Sequence, residues 1–215
     1  MAVDVKFCGL TRPSDARAAA ELGARYVGVI FAGGPRHLEP ARARDVLDGA
    51  GADVERVGVF GKTTPLTIAA TIHEARLDIV QLHADPTIEE VIAVREATGA
   101  RVWAVVRVIG TLVRDDLEGI WEAADALVLD ARTKGSLGGS GTSFAWGASA
   151  PAVRNHSAML VVAGGLTPEN VGQAIETLSP DVVDVSSGVE ASPGIKEHGR
   201  MTDFMNAVRR AGVPR

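Results

Sequence analysis

Val5-Lys6-Phe7-Cys8-Gly9-Leu10, then Pro13-Ser14-Asp15 ahead of Ala16–Leu22, then Tyr26-Val27-Gly28-Val29-Ile30-Phe31: these three stretches decide the fold. The first and third are short β-branched runs. The second places Ser and Asp beside a proline just before an apolar-periodic segment, which is a helix-start signal. Gly23 follows where a helix C-cap is expected. Strand, helix, strand in this order implies parallel pairing through a crossover helix.

The unit repeats along the chain. Further strand-like runs are Arg56–Phe60, Asp78–His83, Arg101–Val108, Ala126–Asp130, Met159–Ala163 and Val182–Ser186. Helical spacing recurs at Ala41–Leu47, Leu66–Ala75, Ile88–Thr98 and Asn170–Leu178, each preceded by a proline or a Thr-Pro or Pro-Thr pair. Gly99 and Gly212 occupy further C-cap positions. Eight βα units in 215 residues fit a compact (β/α)8 (TIM) barrel of the α/β class. An open doubly wound sheet is the alternative. No linker divides the chain, so residues 1–215 are expected to form a single barrel domain. The glycine-rich stretch Gly135–Gly141 follows a strand and reads as an active-site loop.

Composition narrows the function. The net charge is −5 and aromatic residues make up 4%. No basic stripe with interleaved aromatics is present, which argues against nucleic acid as a partner. Apolar runs are too short for a membrane span, no signal pattern opens the chain, and the single cysteine forms no internal disulfide. A cytoplasmic protein is expected, as a monomer or a homodimer.

In such barrels the chemistry lies at the C-terminal ends of the strands, and the unusual residues of this chain collect there. Strand one ends at Cys8, two residues after Lys6, so both point to one face and the ammonium is expected to favour the thiolate. A buried core cysteine is the plainer reading. Strand four ends with Gln81 and His83 on one face, although His83 also fits a satisfied core histidine. Strand six ends at Asp130, which also fits a helix cap. Arg36 follows Gly33-Gly34-Pro35, and its planar fork suits a carboxylate. Gly164-Gly165 after strand seven and Ser186-Ser187-Gly188 after strand eight stand where barrels of this type bind phosphate. The histidines share no ligand spacing with one another or with Cys8, so no metal site is indicated.

Together these segments resemble the phosphoribosylanthranilate isomerase family. The resemblance is carried by Lys6 through Arg12, Pro35-Arg36, Gln81-Leu82-His83, Leu129-Asp130, Gly138-Gly139-Ser140-Gly141 with Phe144 and Trp146, Ala163 through Leu166, and Asp184 through Glu190. It implies an Amadori rearrangement of an anionic sugar phosphate bearing anthranilate, with no metal or organic cofactor. By resemblance Cys8 is the general base and Asp130 the general acid. Arg36 holds the anthranilate carboxylate, and Gly164, Gly165, Ser186, Ser187 and Gly188 belong to the phosphate loops. Asp184 lies near the substrate, with Lys6, Gln81 and His83 in support. The chain departs from the family pattern at Ala84, at Ala145 and in the Gly-Gly-Pro before Arg36, which bears on the shape of loops two and six.

Other sugar-phosphate barrels fit less well. An indole-glycerol-phosphate synthase is expected to use a lysine acid, and no strand end here offers one. Histidine-pathway isomerases pair two aspartates, whereas strand one here ends in Cys8. A catalytically silent, metabolite-binding barrel needs neither Cys8 nor Asp130.

Overall fold

A computed structural model describes residues 2–108, 116–131 and 158–212. Eight parallel strands close into a barrel in chain order: β1 (Asp4–Phe7), β2 (Tyr26–Ile30), β3 (Glu55–Phe60), β4 (Ile79–Leu82), β5 (Arg101–Val108), β6 (Ala126–Ala131), β7 (Met159–Ala163) and β8 (Val182–Val185). The ring is shut by β1 against β8, with Lys6 level with Asp184 and Phe7 with Val185. The open-sheet alternative is thereby eliminated. The described helices are α1 (Pro13–Glu21), α2 (Pro40–Asp48), α3 (Pro65–Ala75), α4 (Ile88–Thr98), α5 (Leu117–Ala123), α6 (Val171–Leu178) and α7 (His198–Ala211).

Local chemistry explains the helix starts. Prolines stand in the first turn of α1, α2 and α3, where the missing N–H costs nothing. Thr87 caps α4 through a reciprocal pair with Glu90. Gly99 closes α4 in the left-handed region, at φ 64°.

Two apolar layers follow from the two faces of the sheet. Outward residues such as Phe7, Val27, Val80 and Leu127 pack against the helices. Inward residues fill the barrel floor, where Tyr26 and Trp103 meet edge-on with centroids 5.0 Å apart.

Two features differ from the sequence expectation. β1 ends at Phe7, so Cys8 lies just beyond it, although its N–H still donates to the Val185 carbonyl at 2.9 Å. After a 3-10 turn at Ser187–Val189 the chain makes a small antiparallel hairpin, β9 (Glu190–Ser192) with β10 (Ile195–Lys196). Strands this short carry no readable alternation. The expected Gly135–Gly141 loop, with Phe144 and Trp146, lies outside the described residues. No helix among the described residues is long and apolar enough to cross a membrane.

Candidate active site

Strand alternation turns the last inward residues of the barrel toward its C-terminal mouth. Cys8, Gln81, His83, Asp130 and Asp184 all line one cavity of about 420 Å³ there. Arg36 reaches it from the loop after β2, Gly164 and Gly165 from the loop after β7, and Ser186, Ser187 and Gly188 from the loop after β8. Of the residues expected at the site, only Lys6 is not part of the wall; it is fully buried.

Lys6 and Asp184 are level across the β1–β8 seam, and Lys6 Nζ donates to Asp184 Oδ2 at 2.8 Å. Gly28 on β2 leaves room for this group. A Cβ at position 28 would come within 3.1 Å of both Cys8 Sγ and Lys6 Cε. The second oxygen of Asp184, Oδ1, and Gln81 Oε1 have no hydrogen-bond partner among the described residues, although both atoms are buried. Buried acceptors left this way are costly, and both belong to residues of the cavity wall.

Lys6 acts on the thiol in the expected direction but does not decide the outcome. Burial is the dominant influence on Cys8 and pushes its thiol up; Lys6 pulls it down, and Asp184 adds to the rise. The net shift is upward, because burial outweighs the pull of Lys6. On Lys6 itself burial works against the charge, but Asp184 and then Cys8 outweigh it and hold the ammonium above its ordinary value. Spacing identified the right neighbour and missed the balance.

On the opposite wall, His83 Nε2 lies 3.7 Å from Asp130 Oδ2. Arg107, at the end of β5, fastens this side. Its Nη2 donates to the His83 carbonyl at 2.8 Å and its Nη1 to Asp85 Oδ2 at 2.7 Å.

The loops after β7 and β8 meet directly. Gly164 and Gly165 take positive φ values of 85° and 67°, which let the chain turn back over the cavity. A Cβ on Gly188 would fall 1.8 Å from the Leu166 carbonyl oxygen, so only glycine allows the two loops to touch. Exposed amides and hydroxyls at this junction suit an anion.

Residues 5–207 match the family described as N-(5'-phosphoribosyl)anthranilate (PRA) isomerase. The chain belongs to this family. The PRA isomerase of Magnetococcus marinus is 40% identical over 212 residues, covering 98% of this chain and 97% of that protein. The one from Paramagnetospirillum magneticum is 38% identical over 213 residues, covering 97% and 98%. Among solved structures, the PRA isomerase of Thermotoga maritima has a TM-score of 0.85 at 36% identity and covers 97% of this chain and 99% of its own. A PRA isomerase in complex with reduced 1-(o-carboxyphenylamino)-1-deoxyribulose 5-phosphate has a TM-score of 0.82 at 33% identity, covering 97% and 99%. The resemblance read from the sequence and the barrel are thus both established.

Two residues of this PRA isomerase family member escaped the sequence reading. Glu190 accepts from Arg36 and from Lys196, and Lys196 is itself 3% exposed. Glu190 closes one of the segments that carried the resemblance, but only the fold shows what it touches. Nothing in the spacing around Lys196 marks it as buried.

Proposed function

We propose that this isomerase rearranges N-(5-phosphoribosyl)anthranilate to 1-(2-carboxyphenylamino)-1-deoxyribulose 5-phosphate with Cys8 as general base and Asp130 as general acid. The observation that carries the reading is the order of the wall. Asp130 stands on β6 and Cys8 beyond β1, and the two glycine- and serine-rich loops of β7 and β8 lie between them on one cavity. A phosphate anchored at those loops puts the sugar between an acid and a base.

Asp130 gives its proton to the ribose ring oxygen, the ring opens and a Schiff base forms. The Cys8 thiolate then takes the C2 proton, and the resulting enolamine collapses to the ketone. Arg36 binds the anthranilate carboxylate. Gln81 and Asp184 line the cavity beside the sugar. Lys6 supplies the counter-charge beside the thiolate.

Following the fluorescence of freshly made substrate tests the scheme. Rapid loss with the native protein is expected, slowed at least ~100-fold in both Cys8→Ser and Asp130→Asn, the scale of a positioned acid or base. Undiminished turnover in either variant would remove that residue from its role. No turnover by the native protein would leave a metabolite-binding barrel.

A further inference from the structure

Arg36, Glu190 and Lys196 form a line of charges between the two ends of the cavity that suit anions. Arg36 Nε donates to Glu190 Oε1 at 2.8 Å and Arg36 Nη2 to Glu190 Oε2 at 2.6 Å. A guanidinium has two edges that can grip a carboxylate in bidentate fashion, and this contact uses the side-on edge. The end-on edge, Nη1 with the second proton of Nη2, makes no hydrogen bond among the described residues, and Arg36 is part of the cavity wall. Glu190 Oε1 also accepts from Lys196 Nζ at 2.8 Å, and the same ammonium donates to the Ser186 carbonyl at 3.0 Å. Ser186 begins the loop after β8. One carboxylate and one ammonium therefore join the fork to that loop.

Both joining groups are buried, with side chains 4% and 0% exposed. A buried ion cluster contributes little net stability, since desolvation offsets most of the attraction. Burial is in fact the leading influence on Lys196 and pulls its ammonium down, with Glu190 opposing. What the cluster does supply is geometry. Glu190 dictates which edge of Arg36 is presented, and Lys196 fixes Glu190 to the loop backbone.

We infer that Glu190 and Lys196 are positioning residues that hold the end-on fork of Arg36 at one set spacing from the phosphate loop. The site then selects substrates whose carboxylate and phosphate are separated by that spacing. This rests on the reading above in which Arg36 binds the carboxylate and the loop after β8 the phosphate.

The experiment compares kcat and KM for the native protein and Glu190→Gln on N-(5-phosphoribosyl)anthranilate and on its carboxylate-free counterpart, N-(5-phosphoribosyl)aniline. With the carboxylated substrate, Glu190→Gln is expected to raise KM about 10-fold or more while kcat changes less than about 3-fold. The loss in kcat/KM on the carboxylate-free substrate should be several-fold smaller. Equal losses on both would overturn the positioning role and leave a structural one. Lys196→Met, which frees the Ser186 carbonyl as well, should weaken both substrates; if it spares both, the link to the phosphate loop is wrong. The native protein provides a reading that needs no variant. Moving the carboxylate from the ortho to the para position should lower kcat/KM at least ~10-fold, and equal turnover of the two isomers would refute a fixed spacing. Failure of the native protein on the anthranilate substrate would instead sink the proposed function, so the two failures are distinguishable.

Discussion

The floor and the mouth of this barrel are built on the same strands and have opposite characters. On β8, Val182 belongs to the floor and Asp184 to the mouth; on β6, Ala126 and Val128 lie below Asp130; on β4, Ile79 lies below Gln81. On β8 one inward step along the strand, about 6.6 Å, takes the interior from the apolar Val182 to the ionisable Asp184. The floor is chosen for packing. The mouth holds a buried ion pair and two buried acceptors without a partner among the described residues, an arrangement that costs stability. Stability and chemistry are thus separated along the barrel axis.

Lys6 stands at the boundary, so Lys6→Met should have the largest combined effect. It leaves Asp184 buried without its counter-charge, which costs about 3–5 kcal/mol, and it removes the cation beside Cys8. Denaturant unfolding together with kcat would detect both losses. A variant as stable as the native protein would mean that water reaches Asp184 and that the boundary lies deeper. Trp103→Ala strikes the floor alone. A loss of about 3–5 kcal/mol is expected, with kcat per folded molecule preserved when assayed well below the melting temperature. If kcat fell as steeply as stability, floor and mouth would be mechanically coupled and the contrast would fail.

The smallest effect is a titration. Because burial outweighs Lys6, the Cys8 thiol should ionise above the ordinary range of a free cysteine, as read from thiolate absorbance in the ultraviolet. Lys6→Met should move it further up. The sign carries into two observables. The base limb of kcat/KM should rise with increasing pH, and the stability supplied by this group, full below the unfolded thiol value, should be lost as pH rises through the folded one. A thiol that ionises below neutrality would reverse the balance between Lys6 and burial.

Much of this was readable before the fold. The βα alternation and the proline-marked starts of α1 to α3 are local signals, and each survives in the structure. Strand ends were also local, so Cys8, Gln81, His83 and Asp130 were placed at the mouth by counting alone, and Asp184 by resemblance. Short or weakly marked elements were not. α5 spans only Leu117–Ala123 and has no side-chain cap, and β9 and β10 are too brief to alternate visibly. Contacts between distant segments were equally hidden. Arg36 meets Glu190 across 154 positions, and Asp15 gathers Arg12, His198 and the Lys196 N–H from opposite ends of the chain. The Cys8 balance was missed for a further reason: sequence spacing names neighbours but does not weigh charge against burial.

The seam between β1 and β8 brings the first and last described segments side by side. A Cβ on Gly212, just past α7, would lie 3.9 Å from the Val3 backbone nitrogen, one residue before β1. The fold is therefore a ring whose covalent break falls at an arbitrary point on its circumference. Joining position 212 to position 3 through a few flexible residues, and cutting the chain in an exposed loop away from the mouth, would yield a circular permutant with the same eight strands in the same cyclic order. Its cavity would be assembled from the same wall.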